Sequence, residues 1–87
     1  MKILIAEDDH VSGLFLRRTL EKLNHEVDIA KNGQEAWEQY QKETYQMVIS
    51  DWMMPAMDGL ELCRTIRAKR SSAYLYFILL TDRKSVV

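Results

Sequence analysis

Cysteine, proline and glycine are scarce in this sequence, which has one Cys, one Pro and three Gly among 87 residues. The single cysteine, Cys63, excludes an internal disulfide framework and fits a reducing compartment. The few Gly and Pro residues are scattered, and there are no repeats or low-complexity segments, so nothing in the sequence reads as a linker between domains. At this length we expect one domain with one hydrophobic core.

An excess of charge of either sign is also missing, because 12 Lys and Arg face 13 Asp and Glu for a net charge of −1. This balance gives no electrostatic reason to expect nucleic acid or a membrane surface as a direct partner. No run approaches the ~20 apolar residues that span a bilayer. Acids follow the apolar start Met1–Ala6 immediately, and no cationic n-region with a small-residue cleavage site is present, so we expect no secretory signal. We therefore expect a cytoplasmic globular domain.

What the sequence does contain is a set of short apolar runs. Three of them, rich in Ile, Leu, Val and aromatics, predict strands covered on both faces: Lys2–Ala6, Met47–Ser50 and Tyr74–Leu80. A weaker run, Glu26–Ala30, alternates apolar and charged residues and so predicts a strand at a sheet edge.

Between the strands, apolar residues recur at helical spacing. The predicted helices are His10–Leu23, Gly33–Glu43 and Gly59–Ala68. The first helix carries its apolar face on one side, with Val11, Leu14, Phe15, Leu20 and Leu23. In the second, Ala36, Trp37 and Tyr40 are expected to face in, and in the third Leu60, Cys63 and Ile66–Arg67 recur at helical spacing. The expected N-terminal caps are Asp8 or Asp9, Asn32 and Asp58, and Asn24 suits a left-handed helix end. The order βαβαβαβ predicts an α/β doubly wound parallel sheet with right-handed crossovers.

Acidic residues follow two of these strands. Glu7, Asp8 and Asp9 come after the first strand and Asp51 after the third, while Thr81 follows the fourth. If the first and third strands are neighbours, these carboxylates converge, and each like-charge pair costs roughly 3–4 kcal/mol. A divalent cation offsets such repulsion, and oxygen ligands alone favour Mg²⁺ over Zn²⁺. The alternative is that the acids only cap the helix and are solvated.

Three segments together are similar to the receiver domain of two-component response regulators. They are Ile3-Leu4-Ile5-Ala6-Glu7-Asp8-Asp9, Asp51-Trp52-Met53-Met54-Pro55-Ala56-Met57-Asp58-Gly59 and Leu79-Leu80-Thr81. The resemblance implies a flavodoxin-like sheet, here with strand order 2-1-3-4. It also implies phosphorelay signalling without an external substrate, so that the chain is not a substrate-converting enzyme. Asp51 matches the residue that accepts a phosphoryl group from a sensor histidine kinase or histidine phosphotransfer protein.

The same resemblance implies the roles of the other site residues. Asp8 and Asp51 would bind Mg²⁺ through their carboxylates, Glu7 through water and Met53 through its backbone carbonyl. Thr81 would donate a hydrogen bond to a phosphoryl oxygen and move on activation.

The family pattern continues with a helix, a strand and a helix, and its fifth strand carries a lysine that pairs with the phosphoryl group. Lys84 lies only three residues after Thr81, too early for that lysine. We therefore expect residues 1–87 to form a C-terminally short receiver without an output domain, the alternative being that they are the retained part of a longer receiver. Its strand Tyr74–Thr81 would then be an exposed sheet edge, suited to a homodimer or to exchange of elements between two copies.

Other functions compete with phosphoryl acceptance. One is a structural or dimerising fragment without a competent switch. Another is a hydrolase with an aspartyl nucleophile of the haloacid dehalogenase type, although Met53 stands where that type has its second acid. A dinucleotide-binding domain is disfavoured because no glycine-rich turn follows the first strand. His10 and His25 read as surface residues, and Cys63 as a small core residue.

Overall fold

Strands and helices alternate along the chain, as the hydrophobic pattern predicts. The structure, a computed structural model, describes residues 1–69 and 75–80. Its elements are β1 (Lys2–Ala6), α1 (His10–Glu21), β2 (Glu26–Ala30), α2 (Gly33–Lys42), β3 (Met47–Asp51), α3 (Gly59–Lys69) and β4 (Tyr76–Leu80). Within these ranges, no helix combines the length and the apolar character that a membrane crossing requires.

The four strands form one parallel sheet in the order β2-β1-β3-β4. The chain moves outward from β1 to β2, then crosses back over β1 to β3 and on to β4. Because crossovers between parallel strands are right-handed, this reversal puts α1 on one face of the sheet and α2 and α3 on the other. The predicted flavodoxin-like class and strand order are confirmed.

Each face of the sheet has its own hydrophobic cluster, since side chains alternate along a strand. Leu4 and Val48 point towards α2 and α3, where they pack with the fully buried Leu62 and Ile66 of α3. On the opposite face, the cluster under α1 contains Ile3, Ile5, Val27 and Ile49, with the partly buried Leu16 and Leu20 of α1 against it. The central strands are therefore covered on both sides, which explains their continuous apolar sequences.

The helix caps and the end of α1 lie where the sequence predicts them. Asp9, Asn32 and Asp58 each accept a hydrogen bond from the backbone N–H three residues further on, at 3.0, 2.8 and 2.8 Å. Asn24 has a φ of 68°, the left-handed conformation expected where α1 ends. These short-range signals are legible in sequence because each depends on neighbours within one helical turn.

The predicted inward face of α1 is wrong for three residues. Val11, Phe15 and Leu23 are 72%, 73% and 62% exposed. The helix contacts the sheet through Gly13, Leu16 and Leu20 instead. Because a helix turns about 100° per residue, Val11 and Phe15 lie on nearly the opposite side from these contacts. The helix has two apolar stripes, and periodicity alone does not say which one meets the sheet.

The prediction for α3 was also incomplete. The structure buries Leu62 and Ile66, whereas Cys63 is only half-buried. In β4, Tyr76, Ile78 and Leu80 are 60%, 41% and 39% exposed. They lie on the same face as α1, which covers β1 and β2 but leaves this part of the sheet open. The predicted first residue of this strand, Tyr74, lies outside the described residues.

The loop between β3 and α3 is tightly folded and braced by α2. The Met57 N–H donates to the Pro55 carbonyl at 2.8 Å, and Ala56 between them has a φ of 71°. This is a γ-turn in its strained, positive-φ form. Gly33, the first residue of α2, approaches the Met57 carbonyl so closely that a Cβ there would lie 1.9 Å from its oxygen. The start of α2 therefore fixes the position of this loop.

Candidate functional site

Three carboxylates meet at the carboxyl edge of the sheet. Glu7 and Asp8 directly follow β1, and Asp51 is the last residue of β3. Because β1 and β3 are hydrogen-bonded neighbours, one oxygen of each carboxylate lies within 4.8 Å of the others. Glu7 and Asp51 are half-buried and Asp8 is exposed. Sequence reasoning made this convergence conditional on strand order, and the observed order fulfils that condition.

The carboxylates line a pocket of about 550 Å³. The residues around it are Glu7, Asp8, Asp9, Ser12, Asp51, Met53 and Leu80. Asp9 is the acid that caps α1, since its side chain accepts from the Ser12 N–H. Capping therefore accounts for one acid of the run and leaves Glu7 and Asp8 facing Asp51. Ser12 was not anticipated as a lining residue, although its spacing from Asp9 is that of a cap partner.

Backbone hydrogen bonds hold these acids in place. The Glu7 N–H donates to the Ala30 carbonyl at the end of β2, at 3.0 Å. A Glu7 carboxylate oxygen accepts from the Asp9 N–H at 3.0 Å. On the other strand, the Asp51 Oδ1 accepts from the Trp52 N–H, also at 3.0 Å. The carboxylates are thus oriented by the strand ends themselves.

The cluster is electrostatically unfavourable on its own. Burial raises the pKa of Glu7 above its ordinary value, and the negative charges of Asp51 and Asp8 raise it further. A hydrogen bond to Asp51, which favours the protonated acid, acts in the same direction, while the Asp9 N–H opposes it. A cation among these oxygens would relieve the repulsion. None of the described residues lining the pocket is His or Cys, so the donor set fits a hard ion such as Mg²⁺.

Glu7 should make stability depend on pH. Because its folded-state pKa is raised, the folded protein binds more protons than the unfolded chain just above the ordinary value of 4.5. The free energy of unfolding should therefore fall as pH rises through this window without divalent cations. Urea denaturation of wild type and Glu7→Gln across pH 4 to 7 measures the difference. We expect the variant to lack this component and to gain on wild type as pH rises. A constant difference between the two proteins would contradict the assignment.

Of the other residues predicted for the site, only some lie in the described part of the chain. Met53 lines the pocket with its side chain 69% exposed. Thr81 and Lys84 lie outside the described residues, while Leu80, the neighbour of Thr81 in sequence, lines the pocket. Trp52 is 40% exposed and adjoins Asp51, which makes it a natural fluorescent reporter of this site.

A doubly wound sheet with an acidic pocket at the carboxyl end of its central strands is what the receiver resemblance implies. The family profile described as response regulator receiver domain matches residues 3–87. The chain therefore belongs to the response regulator receiver family, whose members are signalling modules of two-component systems.

Similar curated proteins are regulators and chemotaxis proteins. The phosphate regulon transcriptional regulatory protein PhoB of Rhizobium meliloti (strain 1021) is 38% identical over 82 residues, which are 94% of this chain and 36% of that protein. A chemotaxis protein CheY homolog of Campylobacter jejuni is 36% identical over 83 residues, covering 93% of this chain and 64% of that protein. The chain thus spans only part of the length of these relatives.

Solved structures show the same fold. Chemotaxis response regulator CheY4 of Vibrio cholerae superposes with a TM-score of 0.89 at 30% identity, covering 97% of this chain and 70% of that one. Response regulator protein TrrA of Thermotoga maritima, solved in complex with Mg(2+)-BeF, superposes with a TM-score of 0.88 at 34% identity, covering 95% and 70%.

Proposed function

We propose that this chain accepts a phosphoryl group on Asp51 in a Mg²⁺-dependent phosphorelay. The observation that carries this proposal is the convergence of Glu7, Asp8 and Asp51 within 4.8 Å at the end of the central strands. A cation would offset the repulsion among these oxygens, and a cation bound there would stand next to a half-buried carboxylate that can act as a nucleophile.

In phosphoryl transfer to Asp51, the only covalent contribution of the protein is the attacking carboxylate oxygen. A carboxylate oxygen of Asp51 forms a bond to phosphorus while the bond from phosphorus to the donor's imidazole nitrogen breaks. The electron pair of that bond stays on the nitrogen, which then takes a proton from water. Positioning and charge stabilisation supply most of the rate in phosphoryl transfer. Here the Trp52 N–H orients the acceptor by its hydrogen bond to Asp51 Oδ1.

Asp8 and Asp51 would hold Mg²⁺ directly, Glu7 through water and Met53 through its backbone carbonyl. When bound, the ion would offset the negative charge of the acceptor and of the incoming phosphoryl group. In support, the similar protein TrrA was solved in complex with Mg(2+)-BeF. Thr81, which lies outside the described residues, is proposed as the hydroxyl that donates to a phosphoryl oxygen and changes protein contacts on phosphorylation.

The partner in this proposal is a sensor histidine kinase or a histidine phosphotransfer protein. The family assignment to two-component signalling supports it. We place the relay in the cytoplasm, whose reducing environment suits the lone free thiol of Cys63. Direct contact with nucleic acid is not part of the proposal, because a net charge of −1 gives no electrostatic reason to expect it.

Incubation with acetyl phosphate and Mg²⁺, followed by intact-mass measurement, tests the proposed function. We expect a mass increase of one phosphoryl group that requires Mg²⁺ and disappears at alkaline pH, where acyl phosphates hydrolyse. An unchanged mass under conditions that phosphorylate a control receiver would count against it.

A second candidate function is self-association through β4. This strand pairs with β3 and with no other described strand. One row of its backbone groups therefore has no partner among the described strands and could pair with another chain. We propose a second copy of this chain as the occupant. The exposed Tyr76, Ile78 and Leu80 carry no charge, and a net charge of −1 leaves little repulsion between copies.

Light scattering coupled to size-exclusion chromatography tests this association. We expect wild type to form dimers at tens of micromolar. Ile78→Lys should weaken dimerisation several-fold, since antiparallel pairing of two β4 edges would bring the introduced like charges onto neighbouring strands of the same sheet face. Gln41→Lys adds the same charge at an exposed position of α2 and should leave the dimer intact. A monomeric wild type would refute the proposal, as would equal association in both variants.

A further inference from the structure

Ser50 stands out among the buried residues because it is the only polar side chain that the described part of the chain buries fully. Its exposure is 0%, and it lies directly before Asp51 in β3. Alternation along the strand points it towards α2 and α3, the same side as Val48, where the neighbouring buried residues are apolar. A hydroxyl costs free energy in such a layer unless it is hydrogen-bonded.

The hydroxyl of Ser50 has a specific partner. Its Oγ donates to the backbone carbonyl of Asp51 at 2.8 Å. The same carbonyl faces the start of α3, where a Cβ on Gly59 would lie 2.3 Å from its oxygen and 3.0 Å from the Ser50 Oγ. The carbonyl of Asp51 is therefore confined between a donor and a closely packed helix start.

The other half of this peptide group reaches the acceptor carboxylate. The Trp52 N–H belongs to the same planar unit as the Asp51 carbonyl. It donates to the Leu80 carbonyl at 2.8 Å and to Asp51 Oδ1 at 3.0 Å. Because a peptide group is rigid, holding its carbonyl also fixes the direction of its N–H. Rotation of this unit would turn the N–H away from the carboxylate that it orients.

We propose that Ser50 is a positioning residue for the Asp51 carboxylate and acts through the Asp51–Trp52 peptide group. This inference rests on the proposed function, since it assigns the hydroxyl a part in phosphoryl acceptance. Ser50 is not among the residues that line the pocket. Its hydroxyl sets the direction of the Trp52 N–H, and that N–H sets the rotamer of the acceptor.

Ser50→Ala is the direct test, made in a Trp37→Phe background so that Trp52 alone reports Mg²⁺ binding. We expect the variant to bind Mg²⁺ roughly three- to tenfold more weakly, and to be phosphorylated by acetyl phosphate more slowly by a similar factor. Thr65→Ala is the matched control. It deletes a hydroxyl that also donates to a backbone carbonyl at 2.8 Å, that of Glu61 in α3, away from the pocket.

The comparison separates positioning from stability. Both substitutions remove one hydrogen bond, so both can lower the urea midpoint, but Mg²⁺ affinity is measured where each protein is folded. Wild-type Mg²⁺ affinity and rate in Ser50→Ala would overturn the inference, and so would equal losses in Thr65→Ala. Should Ser50→Ala not fold, Ser50→Cys, with a weaker donor, is expected to show a partial loss, and wild-type behaviour there would overturn it.

The two proposals fail differently. If the Trp37→Phe parent is not phosphorylated, the proposed function fails. If the parent is phosphorylated and the Ser50 variants match it, only the positioning role is lost.

Discussion

Asp51→Asn is expected to abolish phosphorylation by acetyl phosphate. The amide keeps the size and rotamer of the side chain but offers a much weaker nucleophile, and it removes one of the three negative charges that would bind the metal. Intact-mass measurement should show no phosphoryl adduct in the presence of Mg²⁺. The fluorescence response of Trp52 to Mg²⁺ should also require a higher concentration of the ion.

Asp58→Asn is the matched control for this loss. It makes the same chemical change and removes the same charge, but Asp58 caps α3 and is not among the pocket residues. Asparagine is as good a cap as aspartate, so the fold should be preserved and the adduct should form at a rate close to that of wild type. Retention of the adduct in Asp51→Asn would show that another residue accepts the phosphoryl group.

The substitution Gly33→Ala should be strongly destabilising. A Cβ at this position would lie 1.9 Å from the Met57 carbonyl oxygen and 2.7 Å from its carbon. Both are backbone atoms, so the contact can be relieved only by moving α2 away from the loop that follows Asp51. We expect the free energy of unfolding, measured by urea denaturation, to fall by about 1–3 kcal/mol or more. Mg²⁺ binding should weaken too, because this loop carries Met53.

Gly13→Ala gives the opposite expectation and serves as the control. The nearest atoms to a Cβ there are the Ile29 Cγ2 at 3.6 Å and the Glu7 Cγ at 3.7 Å, which are ordinary contacts. Gly13 lies inside α1, where alanine is favoured over glycine by roughly 0.5–1 kcal/mol. This variant should therefore be stabilised. Equal destabilisation of both variants would show that the close approach at Gly33 is not the cause.

The strands and helix caps that depend only on near neighbours in the chain lie where the sequence predicts them. The bounds of β1 and β2 were predicted to the residue, since each is a five-residue apolar or alternating run that is followed at once by a charged residue. The caps at Asn32 and Asp58 were equally legible, because a cap needs only its own side chain and an N–H three residues away. Such features depend on local geometry.

The face of α1 was misjudged because its sequence carries two apolar stripes. Which of them packs depends on where the helix lies over the sheet, and that position follows from strand order and crossover handedness. Leu62 was missed in α3 for a similar reason: its burial depends on how α2 and α3 share one face. No window along the sequence contains this information.

In the candidate site too, the residue types follow from the sequence, whereas their proximity follows from the tertiary structure. Sequence supplied the residue types: an acidic run after one strand and a single aspartate after another, with the spacing of the receiver family. Those residues lie more than forty positions apart in the chain, and the adjacency of β1 and β3 brings their carboxylates within 4.8 Å. The roles of Gly33 and Ser50 could not be anticipated, because both depend on contacts with segments distant in sequence or on peptide orientation.

The sequence by itself determined the order of elements and the chemical character of the pocket, since these follow from local hydrophobic period, caps and the types of side chain. Its motifs after the first, third and fourth strands carried the resemblance to the receiver family. Only the tertiary structure decided which stripe of α1 meets the sheet, which acids face one another, and how closely Gly33 and Gly59 let the loop and α3 approach. These features depend on the strand order β2-β1-β3-β4, in which the chain changes its direction across the sheet at β1. That order sets which strand ends are neighbours and which face of the sheet each helix covers.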